Sequence, residues 1–196
     1  MRGRGTRAEI AALRAAIEAG AAERRGLERL HIGWRPAQCR VGEDAVPDGD
    51  HDVALIAHLS SAEAATRGDE SGTSPLTVVR RGLRDLAVAH FEVDETIRRH
   101  SDDAAVAIRI ATGSFSRPGT DAEMQNLLRQ RAPLIGDEMS EAWVGRRLTG
   151  RAVEVTFVSA WRRLPSDRSL EVAFWEDIAL RYDHFAVEVY SAVGVE

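Results

Sequence analysis

Short apolar runs and amphipathic stretches alternate along this 196-residue chain, and the succession occurs twice. From residue 104 onward the order is clear. Residues 104–111 (AAVAIRIA) are short and rich in β-branched side chains between polar flanks, which predicts a strand. Pro118-Gly119-Thr120-Asp121 then turns into a helix with Thr120 or Asp121 as N-cap, and Glu123 offsets the free amides of its first turn. Met124, Leu127, Leu128 and Leu134 share one face of that helix, and Pro133 distorts or ends it. Residues 141–147 and 152–161 predict two strands joined near Thr149-Gly150. After Pro165 and the capping Ser166-Asp167, Leu170, Phe174, Ile178 and Tyr182 recur every four residues as a second helix, with Trp175 beside Phe174. Residues 183–192 close the unit as a strand. The order β-α-β-β-α-β is the split βαβ, or ferredoxin-like, motif.

The first half reads as α-β-β-α-β. Ile10, Leu13 and Ile17 form a helix face, residues 27–35 and 52–59 two strands, 75–83 a second helix and 85–94 a last strand. Sequence echoes tie the halves together. Gly5-Thr6-Arg7-Ala8-Glu9-Ile10 returns as Gly119-Thr120-Asp121-Ala122-Glu123-Met124, and His90-Phe91-Glu92-Val93 as His184-Phe185-Ala186-Val187. Matching Gly33 with Gly145 and Val53 with Val155 places an insertion in residues 36–50, rich in Gly, Pro and Asp, which predicts a surface loop. The same spacing predicts that the first copy lacks its opening strand, since Met1 falls where the second copy's strand has already ended. A gap of that kind leaves an unpaired sheet edge, to be covered by a loop, a partner strand or a homodimer contact.

The chain thus divides into a degenerate first repeat, 1–99, and a complete second repeat, 104–196. In the strand 152–161, Val153, Val155, Phe157, Ser159 and Trp161 make one face, while Thr156, Val158 and Ala160 on the other are also uncharged. A sheet covered by helices on one side and by a second sheet on the other needs that pattern. The expected fold class is α+β: two ferredoxin-like repeats packed sheet to sheet as a pseudo-dimeric α/β barrel.

Composition narrows the function classes. A hydrophobic share of 44% and a charged share of 29% are those of a globular protein. No apolar run approaches bilayer length, and no apolar segment follows the basic N-terminus, so a cytoplasmic protein without membrane attachment is expected. The single cysteine, Cys39, allows no intrachain disulfide and no cysteine-based metal site. All 26 basic residues are arginine, which bars Schiff-base chemistry and lysine general bases. A net charge of -5 argues against binding duplex nucleic acid. A single-stranded RNA reader of this strand order would need stacking aromatics on its first strand, where there are none. No histidine pair has helical ligand spacing, so no metal is expected.

The opening strand-Pro-Gly-helix (VAIRIATGSFSRPGTDAEM), the strand end Phe157-Val158-Ser159-Ala160-Trp161 and the closing His184-Phe185-Ala186-Val187-Glu188-Val189-Tyr190 resemble the dimeric α/β-barrel superfamily. Within it they are similar to the antibiotic biosynthesis monooxygenase-type domains. The resemblance covers residues 104–192 and, more weakly, 5–95. It implies a barrel of two such domains, here as a tandem repeat, and a chemistry ranging from cofactor-free quinone-forming monooxygenases to haem-degrading enzymes, isomerases and pure ligand binders. The haem-degrading branch uses an asparagine on the first strand. In this chain Arg109 stands on that strand, and the only asparagine, Asn126, falls on a predicted helix.

Two catalytic candidates follow. Arg109, mid-strand among Val106, Ile108 and Ile110, could anchor an anionic or enolate oxygen, and suits still better an ion pair with Glu154 or Glu188. His184, like His90 in the other half, opens a closing strand and could take a proton from a phenol or enol, but a structural hydrogen bond would place it there too. Trp143, Trp161, Trp175 and Tyr182 are candidates for lining a pocket for a flat ligand, and large rings also serve simply as core. Two functions stay open: a cofactor-independent monooxygenase acting on an aromatic or phenolic substrate, and a non-catalytic ligand-binding or regulatory module of the same fold. Either takes a small hydrophobic or aromatic molecule as its partner, with no cofactor.

Overall fold

Five residues of the sequence Arg-Gly-Arg-Gly-Thr begin the sheet. In the computed structural model, which describes residues 1–20, 27–37, 49–61, 79, 81–98, 105–115, 122, 126, 138–149, 152–163, 176 and 179–192, β1 is Arg2–Thr6 and α1 is Arg7–Gly20. The later strands are β2 Leu27–Pro36, β3 Asp50–Leu59, β4 Arg84–Ala87, β5 Glu92–Arg98, β6 Ala107–Phe115, β7 Met139–Thr149, β8 Ala152–Trp161 and β9 His184–Ala192. The fold class is α+β, mostly antiparallel sheet. No helix among the described residues is long and apolar enough to cross a membrane. The chain divides into two units, one of residues 1–89 with 190–193, the other of 90–189 with 194–196.

The first unit has the strand order β4-β1-β3-β2, with residues 191 and 192 of β9 paired to Trp34 and Gly33 at the β2 edge. Its helix starts with a capping box. Thr6 N–H donates to Glu9 Oε2 (2.7 Å) and Glu9 N–H donates to Thr6 Oγ1 (3.3 Å), so two otherwise orphaned donors are satisfied. Thr6 Oγ1 also donates to Glu9 Oε2 (3.1 Å), and this bond with that from Thr6 N–H holds the Glu9 carboxyl below its usual pKa. Ile10, Leu13 and Ile17 then fall on one face and are buried with Ile32, Val53, Leu55, Val79 and Leu83.

The opening strand expected to be missing is present, and β1 occupies the edge on which the dimer expectation rested. Gly3 pairs with Val53, as Gly113 pairs with Val155. The ladder therefore matches Gly3 with Gly113, while the helix starts match Gly5 with Gly119. The link between strand and helix is shorter in the first copy, and equal spacing could not locate the strand. Met1 completes the edge: its amino group donates to the Leu55 carbonyl (2.8 Å) and its carbonyl accepts from Leu55 N–H (2.9 Å). Burial pushes the pKa of that amine down to about 6.

The last strand of the first half, expected as one piece at 85–94, is two strands. β4 pairs with β1 through a bulge, with Asp85 in the left-handed region (φ 51°). β5 pairs with β7 in the second unit. That unit has the order β9-β6-β8-β7-β5, so both units place their strands as a ferredoxin-like sheet with one further strand beyond β2 or β7. Thr149 pairs with Ala152 across the expected hairpin. The strand expected at 104–111 lies at Ala107–Phe115. It runs on because residues 112–115 keep their pairing with β8, and at Gly113 the Tyr182 ring packs so closely that a Cβ would fall 2.4 Å from it. Of the helices expected at 75–83, 120–134 and 166–182, the described members Val79, Arg81, Gly82, Ala122, Asn126, Glu176 and Ala179 are helical. Leu83 and Tyr182 are outside helix and Leu180 and Arg181 form a turn, so the first and last of these helices end sooner than expected; the remainder lies outside the described residues.

Candidate functional site

Alternation along β6 and β8 puts Ala107, Arg109 and Ala111 on the same face as Phe157, Ser159 and Trp161. Ala107, Ala111, Phe157 and Trp161 belong to an apolar cluster with Phe115, Met139, Ala142, Val144 and Val155, against which Tyr182 and Phe185 pack. Beside this cluster the sequence places a charged side chain. Arg109 is 4% exposed and its guanidinium carbon lies 4.7 Å from the centroid of the Trp161 ring. A cation over an indole face is attracted by the ring's quadrupole, and burial strengthens that attraction. Trp161 has no exposed surface, and its indole N–H donates to Ser159 Oγ (2.8 Å). Arg109 and Ser159 are partners in the ladder. The small side chains of Ala107, opposite Trp161, and Ala142, opposite Ser159, leave room for the ring.

The other candidates are placed as follows. Tyr182 stacks on Phe185 (5.5 Å) and meets Phe115 edge-on (5.7 Å), and burial pushes its phenol well above the usual range. Trp143 is buried but pairs with Val158, on the face of the sheet opposite Trp161. His184 is exposed, and since its neighbour Phe185 packs on the Arg109 side, His184 points to the other. His90 is exposed as well. Trp175 lies outside the described residues. The structure thus brings Arg109, Trp161 and Tyr182 to one cluster, with Trp143 and His184 elsewhere. Among the described residues no group of three or more acidic, histidine or cysteine side chains could hold a metal ion.

A charged network in the first unit has no counterpart among the sequence candidates. Arg4 is 4% exposed and its Nε donates to Asp52 Oδ1 (3.3 Å), while Arg35 reaches Asp52 Oδ2 (3.4 Å). Arg84 pairs with Asp50 and lies 3.8 Å from Glu9. Part of this network repeats. Arg35 faces Asp52 across the β2–β3 ladder and stands over the Tyr190 ring (4.9 Å). Arg147 faces Glu154 across the β7–β8 ladder and stands over the Phe91 ring (5.2 Å). The signal was in the sequence: both arginines lie two residues after the matched glycines, and both acids one residue before the matched valines.

Comparison with known proteins bears on the fold. No family model matches the chain, and no curated protein matches it. Among solved structures it is similar to a "putative monooxygenase" from Fusobacterium nucleatum subsp. nucleatum (TM-score 0.64, 10% identity, covering 100% of this chain and 91% of that one). It is similar also to an anthrone oxidase-like protein (0.56, 14%, covering 98% and 90%). A third is a "putative monooxygenase" from Lactobacillus acidophilus NCFM (0.55, 10%, covering 97% and 91%). The chain shares their fold. Identities this low transfer no residue role, so the chemistry must be argued from this chain's own side chains.

Proposed function

We propose that the protein binds a small planar aromatic molecule beside Arg109 and Trp161, and that it acts on this molecule as a cofactor-independent monooxygenase. The observation that carries the reading is the buried guanidinium held over the Trp161 ring within an apolar cluster. In such surroundings a fixed cation stabilises an ionised oxygen far more than it would in water, and the ionised form of a phenol is its electron-rich form. Arg109 would receive the phenolate or enolate oxygen and Trp161 the ring. His184 faces away from Arg109, so one ligand cannot meet both, and His184→Ala serves as the control. The name of one similar structure, anthrone oxidase-like, supports an aromatic substrate, and that of two others, "putative monooxygenase", supports the reaction class. Part of the proposal is that the two repeats form a pseudo-dimeric barrel. Its support is the pairing of β5, which ends the first repeat, with β7, and of the last residues of β9 with β2.

A ligand-binding module without turnover is the second reading, favoured by the complete burial of Trp161. Oxygen uptake and binding, measured together with anthrones, quinols and haem, separate the two. Uptake with an anthrone or quinol that disappears in Arg109→Ala and persists in His184→Ala supports the enzyme. Binding without uptake leaves the ligand-binding module, and binding that Arg109→Ala does not weaken overturns the site.

A further inference from the structure

We propose that Arg7, Trp34 and His51 form a ligand site in the first unit, which takes a small aromatic carboxylate. The three meet at one end of the sheet. Thr6, the last residue of β1, pairs with Asp50, and Gly5 pairs with His51, so α1 sets out with Arg7 from the end of the sheet where His51 stands. His51 alternates along β3 with Val53 and Leu55, which pack with Ile10, Leu13 and Ile17 of α1, and Trp34 is the ladder partner of Val53. The side chains of His51 and Trp34 therefore lie on the helix side. The Trp34 ring joins the group: the His51 ring meets it at 4.8 Å and 78°, and the Arg7 guanidinium carbon stands 5.0 Å from its centroid. Exposure falls from Arg7, at the surface, through the half-buried Trp34 to His51, which is 9% exposed.

Two of these groups hold hydrogen-bonding capacity that the fold leaves unused. Nδ1 of His51 is buried without a hydrogen-bond partner, an unfavourable state for a polar atom. Its ladder partners, Gly5 and Pro36, bring it no polar side chain. Arg7 makes no ion pair among the described residues. The acids of the same strand and turn are engaged elsewhere: Glu9 accepts from Thr6, Asp50 pairs with Arg84, and Asp52 pairs with Arg4 and Arg35. A guanidinium laid on an indole keeps its N–H edge for a partner, and a carboxylate is the planar anion that fits that fork. An aromatic acid then meets each member of the group. Its carboxylate goes to Arg7 with an oxygen to accept from His51 Nδ1–H, and its ring packs on Trp34 at the margin of the apolar cluster of α1. The site shares no residue with the Arg109 cluster, so its test is independent of the function proposed above.

The test uses the full chain with benzoate as the probe. The Trp34 indole N–H is followed by 1H–15N NMR, assigned by its loss in Trp34→Phe, and the His51 ring nitrogens by long-range 1H–15N correlation, assigned by their loss in His51→Phe. Benzoate is expected to shift both sets of signals along one saturable curve, with a Kd of about 1 mM for so small a ligand. Arg7→Gln, at an exposed position, is expected to weaken binding about tenfold, the loss of a charge-assisted pair. Arg7→Lys keeps the charge without the fork and recovers part of that loss. Benzyl alcohol, which has the ring without the charge, and acetate, which has the charge without the ring, each bind more weakly than benzoate. Shifts that do not saturate, or that Arg7→Gln leaves unchanged, overturn the proposal. Equal affinity for benzyl alcohol or for acetate overturns it too, because the site would then read only half of the molecule.

Discussion

Arg147 sets two nitrogens on one oxygen of Glu154, Nε at 2.9 Å and a terminal nitrogen at 2.7 Å, directly across the β7–β8 ladder. The pair is partly open to solvent, with side-chain exposures of 35% and 21%. Screening therefore limits its worth to about 0.5–1 kcal/mol as a coupling energy, measured by a double-mutant cycle of Arg147→Ala and Glu154→Ala in urea. The single Arg147→Ala variant should lose more than the coupling energy, because the guanidinium also covers Phe91.

Its counterpart in the first unit, Arg35–Asp52, shares its carboxylate with a second and buried arginine, Arg4, which should behave differently. Arg4 and Asp52 have side-chain exposures of 5% and 8%. Arg4→Ala removes a buried cation from the Asp52 carboxylate and is expected to cost about 3 kcal/mol in urea unfolding. A loss below that for Arg147→Ala would show that the other partners of Asp52, Arg35 among them, satisfy it without Arg4.

Gly113 is required by a ring. Gly113→Ala places a methyl within the Tyr182 ring's volume, 2.4 Å from its nearest carbon, and should cost about 1–3 kcal/mol by overpacking. Tyr182→Ala creates a cavity by itself, but the double variant should be less destabilised than the sum of the two. Additive losses would mean that the glycine matters for some reason other than the ring.

The Met1 amine gives the first unit a pH dependence. Its pKa falls from 8.0 to about 6 on folding, so between those values the unfolded chain holds more protons than the folded one. Stability should therefore be full above pH 8 and decline as the pH falls through 6, by about 2–3 kcal/mol at most from this group. The chain contains no lysine, so an amine-selective acylating reagent reads this group alone. The pH profile of its acylation should show a midpoint near pH 6 when folded, moving toward 8 in urea.

Much of the second copy was legible because its strands are both apolar and β-branched. Residues 152–161 are β8 as expected, and the pairing of Thr149 with Ala152 closes the hairpin that the flanking pattern predicts. Three features were hidden for physical reasons. β1 has no β-branched residue before Thr6; its order comes from pairing with β3 and from the burial of Arg4 against Asp52. The break between β4 and β5 depends on which unit each segment joins, and that does not show in hydrophobic periodicity. At the candidate site, Arg109 and Trp161 were legible as residue types on strands. That Ser159 ties the ring down, and that Trp143 and His184 face the other way, required the register of the ladder.

The pairing of β2 with residues 191 and 192 has a consequence for synthesis on the ribosome. Translation proceeds from the N-terminus, and domains tend to fold as they emerge. Here β1, α1, β2 and β3 leave the exit tunnel early, but the strand that completes the β2 edge is made more than 150 residues after β2 itself. The nascent first unit must wait with that edge open while the whole of the second is translated, a period of about ten seconds at usual elongation rates, during which a holding chaperone would have its clearest target.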